Sequence, residues 1–216
     1  MPLYRFTIKT ATDMGLRTFI SDHFIKDIVP YKPLKLTKPE KTLEIVSAWK
    51  GLEMIIADII ERFGLKNESC IEFGVEFGYS AVVFSNYFKS VTGVDTFEGD
   101  IHTENKAEHY LETSNRLAEY KNIVLVKSDY KDWIKRDNKR YDLAHVDIVH
   151  NYKETFECGL WAAQHSSCTI FHDTESFPEV RRAVKDIAAE TGQKLYNYPY
   201  HYGLGILVDK KSIGKK

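Results

Sequence analysis

Short apolar runs alternate with amphipathic segments along most of the chain. Five runs of five to seven residues predict buried strands: Ser69–Phe73, Ser90–Asp95, Asn122–Lys127, Tyr141–Asp147 and Cys168–Asp173. The segments between and after them predict helices: one through Ala81–Phe84, one over 103–120 with Thr103 as its cap, a short one over Lys131–Arg136, one over Tyr152–Ala163, and one that Gly192 ends. The last opens with Ser176-Phe-Pro-Glu179, a capping box with proline at the first helical position.

Strands separated by helices indicate βαβ units, and therefore an α/β fold with a doubly wound, mostly parallel sheet. Lys194–Tyr198 and Leu204–Val208 predict an antiparallel pair at the C-terminal end. Apolar residues recur every three to four positions from Pro39 to Phe63, which predicts an amphipathic helix with Gly64 as its stop. Residues 1–38 predict an N-terminal extension with a short helix over Arg17–Ile28, suited to covering a site or to self-association in a homo-oligomer. We therefore divide the chain into 1–38 and 39–216.

The bulk properties exclude several classes of protein. The 216 residues are 43% hydrophobic and 28% charged with a net charge of −1, which predicts a packed core and no nucleic-acid partner. No signal peptide and no apolar run of transmembrane length is present, so we expect no membrane partner. Cys70, Cys158 and Cys168 are odd in number and lack metal-binding spacing. Cys70 and Cys168 lie in apolar runs, which favours buried thiols, and a reducing cytoplasm is the expected location.

A strand–turn–helix with unusual glycine spacing carries the first functional signal. Glu72-x-Gly74-x-x-x-Gly78-x-Ser80 lies where open α/β sheets bind nucleotides. It lacks both the lysine of a phosphate loop and the Gly-x-Gly of the dinucleotide pattern. Glu72 would repel a pyrophosphate and suits a cationic or zwitterionic ligand. The form resembles motif I of the class I methyltransferases that use S-adenosylmethionine.

Acidic residues fall at the carboxyl ends of all five predicted parallel strands, and these ends share one rim of the sheet. They are Glu72, Asp95, Asp129, Asp147 and Asp173. Asp95 is placed to accept hydrogen bonds from ribose hydroxyls, a role that NAD enzymes and methyltransferases share. Asp129 would accept from an adenine amino group, with Tyr130 packed on the ring.

Longer elements make the resemblance more specific over residues 68–208. Val94-Asp-Thr-Phe-Glu-Gly99, Val146-Asp-Ile-Val-His-Asn-Tyr152, Phe171-His-Asp-Thr174 with the following Pro178–Val184, and Gly203-Leu-Gly205 resemble elements of the macrocin O-methyltransferase family and its cephalosporin hydroxylase-like relatives. Ile148 and Val149 replace a glycine and a second aspartate of that family, and His165-Ser166-Ser167 replaces its Gly-Gly turn.

The resemblance implies a Rossmann-like S-adenosylmethionine-dependent methyltransferase domain over 39–216. The residues it implies for cofactor binding are Glu72, Gly74, Gly78, Tyr79, Ser80, Asp95, Thr96, Phe97, Asp129 and Tyr130. It also implies a divalent metal, commonly Mg²⁺, held by Asp147 and Asp173 with His172 or Thr174 near a third position. Because imidazole is a softer ligand than carboxylate, Mn²⁺ or no metal stays open. Asp147 and His150 are the candidate catalytic residues, with His150 as the base.

The function that follows is transfer of a methyl group from S-adenosylmethionine to a hydroxyl of a small molecule, such as a sugar or another natural product. Two alternatives stay open at this point. The departures at Ile148 and Val149 suggest a module that binds the nucleoside without catalysis. A nicotinamide-dependent oxidoreductase is disfavoured by the glycine spacing and by Glu72.

Overall fold

The computed structural model describes residues 28–99 and 109–209. Within them, eight strands form one mixed sheet in the order β1-β7-β8-β6-β5-β2-β3-β4. The strands are β1 (Ile28–Pro30), β2 (Ser69–Phe73), β3 (Ser90–Asp95), β4 (Ile123–Lys127), β5 (Tyr141–Val146), β6 (Ser166–His172), β7 (Lys194–Tyr198) and β8 (Leu204–Val208). Only β8 runs antiparallel to its neighbours β6 and β7. The predicted doubly wound, mostly parallel sheet with an antiparallel C-terminal strand is confirmed.

Helices cover both faces of this sheet. The described helices are α1 (Glu53–Phe63), α2 (Tyr79–Ser85), α3 (Tyr110–Arg116), α4 (Tyr130–Ile134), α5 (Tyr152–His165) and α6 (Pro178–Thr191). Successive strand residues alternate between two cores: Cys70 packs with α1 and α2, and its neighbour Ile71 packs with α5 and α6. Burial on both faces explains why the central strands are continuous apolar runs in the sequence.

The predicted helix from Pro39 to Phe63 is wrong in its first half, because α1 begins only at Glu53. Gly51 has φ +102°, which a helix cannot contain. Val46 is 95% exposed, although the helical period would have placed it on the buried face. Residues 39–52 instead form turns and irregular chain, while Gly64 ends α1 in the left-handed conformation, as predicted.

The predicted capping box before α6 is also wrong. The residue at the N-cap is Phe177, which makes no side-chain capping bond. The Ser176 hydroxyl faces the carbonyl of Tyr202 instead, at 3.5 Å. Pro178 at the first helical position and Gly192 at the C-terminal end are confirmed.

The N-terminal part of the described chain joins the sheet. Strand β1 lies inside the predicted extension and pairs in parallel with β7. The Tyr31 hydroxyl and the Leu34 amide both bind the buried carboxylate of Asp58 on α1, which fixes the chain after β1. The Arg17–Ile28 helix falls outside the described residues except at Ile28, and so does the Thr103 cap. The division at residue 38 stays a prediction.

Two expectations from composition can be compared with the structure. All three cysteines are buried and unpaired, as predicted for Cys70 and Cys168. Along the described chain, no helix combines the length and the apolar character required to cross a bilayer.

Candidate functional site

A cavity of about 570 Å³ opens where the carboxyl ends of β2, β3, β5 and β6 meet. Eleven predicted site residues line it: Gly74, Tyr79, Ser80, Asp95, Thr96, Asp129, Tyr130, Asp147, His150, His172 and Asp173. Three do not. Gly78 is the N-cap of α2, where a Cβ would lie 2.7 Å from the Leu117 side chain. The side chains of Phe97 and Glu72 are wholly buried. Four of the five acids expected at the rim, Asp95, Asp129, Asp147 and Asp173, thus line one cavity.

Gly74 joins the two halves of this site. It has φ +87°, and a Cβ placed there would lie 1.7 Å from the carbonyl oxygen of Asp147. The Gly74 amide donates to Val94 of β3, and the Asp147 amide donates to Phe73 of β2. We call residues 74–78, between β2 and α2, the motif I turn. Gly74 is therefore needed for the close approach of this turn to the end of β5.

Asp95 at the end of β3 organises the motif I turn. Its Oδ2 accepts from the amides of Val75 at 2.7 Å and Glu76 at 2.9 Å, and its Oδ1 accepts from the Phe97 amide at 2.7 Å. A carboxylate offers about four acceptor positions, so Oδ1 retains one that a ribose hydroxyl can use.

Asp95→Ala is expected to weaken binding of S-adenosylhomocysteine by about 10- to 100-fold, because it removes a charged acceptor and the bonds that hold the turn. Calorimetric titration measures the affinity. Asp142→Ala is the matched control, since Asp142 accepts from the amides of Glu68 and Ser69, both at 2.9 Å, at the opposite end of β2. It should lower stability and leave the affinity unchanged. Equal affinity for Asp95→Ala and wild type would contradict a role of Asp95 in the cofactor site.

Asp129 and Tyr130 stand at the beginning of α4. Asp129 is its N-cap, with Oδ1 accepting from the Lys131 amide at 2.7 Å. Tyr130 is 7% exposed, and its hydroxyl donates to Glu157 at 3.2 Å. This anchoring fixes the Tyr130 ring in the cavity wall, on the side of the cavity that Asp95 also lines.

Two aspartates and two histidines face one another at the ends of β5 and β6. We call Asp147, His150, His172 and Asp173 the acid–histidine cluster. His150 Nε2 lies 2.9 Å from Asp173 Oδ2 and 3.4 Å from Asp147 Oδ1. His172 Nδ1 lies 3.1 Å from Asp147 Oδ2 and 3.3 Å from Asp173 Oδ2. Asp173 has φ +62°, a conformation that aspartate tolerates better than most residues.

Each charge in the cluster stabilises its opposite. Burial disfavours the charged imidazoles, yet the two carboxylates outweigh it and raise the pKa of His150 to about 9 and that of His172 to about 10. Burial alone would raise the pKa of Asp147, but His172 and His150 hold it well below its usual range. Burial would also raise the pKa of Asp173, but hydrogen bonds from the same two histidines lower it below its usual value. Without a bound cation the cluster therefore favours protonated histidines, and a cation that bound His150 would displace the proton from its ligating nitrogen.

The cluster fits a divalent cation. Asp147, His150 and Asp173 each offer one ligand atom, and these atoms all lie within 4.8 Å of one another. Two carboxylate oxygens and one imidazole nitrogen suit Mn²⁺ or another first-row ion better than Mg²⁺, which prefers oxygen. The structure brings His150, rather than the predicted His172, into this group. His172 sits behind it, hydrogen-bonded to the carboxylates.

Sequence reasoning missed much of the opposite wall. Ile45, Val46, Ser47, Ala48 and Trp49 line the cavity, and we call them the wall segment. Phe177 and Tyr202 also line it, with the Phe177 ring stacked on His150 at 4.2 Å and 13°. The apolar period hid the wall segment inside a predicted helix. No local signal marks Phe177, which reaches the site only because α6 begins beside β6.

Comparison with known proteins agrees with this geometry. Residues 71–174 match a family described as a methyltransferase domain. A putative O-methyltransferase from Klebsiella pneumoniae is 13% identical with a TM-score of 0.54, covering 88% of this chain and 96% of its own. The O-methyltransferase from Bacillus cereus, solved with S-adenosylhomocysteine (SAH), is 13% identical with a TM-score of 0.56, and the match covers 90% of this chain and 97% of that protein. The O-methyltransferase NovP is 14% identical with a TM-score of 0.59, and the match covers 74% of this chain and 78% of that protein. No curated protein sequence matches the chain.

The matched domain and the shared fold support a class I S-adenosylmethionine-dependent methyltransferase. This confirms the broad resemblance stated from the sequence. The narrower grouping with the macrocin O-methyltransferase family stays a prediction, as do the atom methylated and the metal.

Proposed function

We propose that this methyltransferase acts on a hydroxyl of a small molecule and that a divalent cation in the acid–histidine cluster assists the transfer. One observation carries the proposal. The ligand atoms of Asp147, His150 and Asp173 converge on the wall of the same cavity that the motif I turn lines. A methyl donor held by that turn and a hydroxyl held at the cluster would meet inside one enclosure.

The reaction asks little of the methyl donor. The hydroxyl oxygen forms a bond to the methyl carbon, the carbon–sulfur bond breaks, and sulfur leaves as a neutral thioether with the bonding pair. The hydroxyl proton passes to solvent water, and a cation held by the cluster would supply acidity by lowering the pKa of the hydroxyl. Asp147, His150 and Asp173 would hold that cation. Asp147 and Asp173 stay ionised because of the neighbouring histidines, so they can also orient the hydroxyl by accepting its hydrogen bond.

The charge of the cavity narrows the class of acceptor. Six carboxylates line it: Glu76, Asp95, Asp129, Asp147, Glu154 and Asp173. Among the described lining residues there is no lysine or arginine, although Lys131 pairs with Glu154 from outside the wall at 2.9 Å. A divalent cation, the protonated His172 and Lys131 together carry fewer positive charges than these six carboxylates carry negative ones, so a phosphate or carboxylate on the acceptor would be repelled. We propose an uncharged or cationic acceptor, such as a free sugar or phenol, rather than a nucleotide-linked one.

The test is transfer of a labelled methyl group from S-adenosylmethionine to a panel of hydroxylated acceptors. Each acceptor is supplied in an uncharged, an amino and a carboxylate form. We expect turnover with the uncharged or amino members, its loss in EDTA, and its recovery with Mn²⁺ more than with Mg²⁺. Undiminished turnover in EDTA would contradict the cation. A preference for the carboxylate members would contradict the charge argument. Calorimetric heat with NAD and none with SAH would refute the cofactor.

A further inference from the structure

Glu72 occupies the centre of the molecule beneath the cavity. Its side chain is wholly buried, and its Oε1 accepts two hydrogen bonds, from the Ser80 hydroxyl and from His145 Nδ1 at 2.8 Å. Its Oε2 is buried and has no hydrogen-bond partner among the described residues. Because burying a carboxylate oxygen without a partner costs free energy, a carboxylate at this position calls for an explanation, and its two hydrogen bonds at Oε1 suggest one.

The chain of hydrogen bonds continues beyond His145. The Trp49 indole Nε1 donates to His145 Nε2 at 3.1 Å. Because an indole N–H can only donate, Nε2 is the acceptor, and Nδ1 carries the proton that His145 donates to Glu72. Glu72 is thus linked to Trp49 through one imidazole of fixed orientation.

Trp49 is the last residue of the wall segment, and its ring is fixed on several sides. It packs edge-on against Phe84 at 5.2 Å and against His145 at 5.0 Å. Its centroid lies 6.4 Å from that of His172 in the acid–histidine cluster. Any shift of the indole would therefore move the wall beside that cluster.

We infer that Glu72 is a positioning residue: its Oε1 ties the Ser80 end of the cavity to the wall segment through His145 and Trp49. Glu72 is not in the cavity wall, whereas Ser80 and Trp49 both are. Its influence on a ligand must pass through those two side chains. This assignment replaces direct cofactor binding by Glu72, and it holds whatever the acceptor or cation.

Indole ¹⁵N–¹H spectra test the link. Trp49→Phe assigns the Trp49 signal among the three tryptophans. Glu72→Ala should shift that signal although Glu72 does not touch the indole, because His145 loses its fixed partner. Glu72→Gln keeps an oxygen acceptor and should restore the wild-type position. The Trp133 signal is the internal control, since that indole donates to Asp137 at 3.1 Å outside the network.

Two further readouts separate positioning from cofactor binding. Amide hydrogen exchange over residues 45–50 should accelerate at least about tenfold in Glu72→Ala, while Glu72→Gln should bind SAH within about threefold of wild type. A Trp49 signal unmoved by Glu72→Ala would overturn the proposal. So would SAH binding weakened more than about tenfold in Glu72→Gln. His145→Phe, which keeps the ring packing and loses both nitrogens, gives the same spectral test should Glu72→Ala not fold.

Discussion

Asp147→Asn is expected to lower methyl transfer by about 1000-fold or more while SAH affinity stays within about threefold. Asp147 contributes to both sides of the acid–histidine cluster, since Oδ1 faces His150 and Oδ2 accepts from His172. The amide loses the negative charge that a divalent cation requires and the charge that both histidines compensate. Labelled methyl transfer and calorimetry measure the two quantities separately. Binding of Mn²⁺, followed by its paramagnetic resonance, should weaken about 10- to 100-fold.

Asp137→Asn is the matched control for this variant. Asp137 Oδ2 accepts from Trp133 at 3.1 Å and from the Tyr141 hydroxyl at 2.7 Å, just before β5 and therefore at the other end of the strand that Asp147 follows. It should retain turnover and Mn²⁺ binding. Retained turnover in Asp147→Asn would rule out both the cation and the orienting role of this carboxylate. A parallel loss of SAH affinity would instead place Asp147 in the cofactor site.

The parallel sheet could be predicted because each strand carries its own evidence. Ser69–Phe73 and Ser90–Asp95 are apolar runs that end in turn residues, and both faces of the sheet are covered, so burial follows directly from the sequence. The segment before α1 could not be predicted in this way. Trp49 is buried among core residues and donates to His145, 96 positions away, and periodicity cannot distinguish this tertiary burial from burial on a helix face.

The site divides along the same line. Asp95, Asp147 and Asp173 follow their strands, so topology alone brings them to one rim. The local sequence does not show which side chains pair with these carboxylates. That His150 Nε2 contacts both carboxylates, as His172 Nδ1 also does, depends on the path of the loop after β5, which no local sequence pattern determines. Glu72 illustrates the opposite error, because its position in motif I suggested a ligand contact, whereas its side chain is fully buried and bonded to Ser80 of α2 and His145 of β5.

Gly74→Ala is expected to destabilise the fold by more than about 4 kcal/mol, or to prevent folding altogether. A methyl group 1.7 Å from the Asp147 carbonyl oxygen cannot be accommodated, since the Gly74 Cα that would carry it and the Asp147 carbonyl both directly follow the paired strands β2 and β5. Relief would require the strand ends to separate, and this would also split the motif I turn from the acid–histidine cluster. Gly192→Ala isolates the steric term. Gly192 has a positive φ of +64° as well, but open space surrounds its Cα, so the change should cost only about 1 kcal/mol. Chemical denaturation of both variants measures the difference. Comparable stability for the two alanines would mean that the approach of β2 to Asp147 does not require a glycine, and that the union of the two half-sites has another cause.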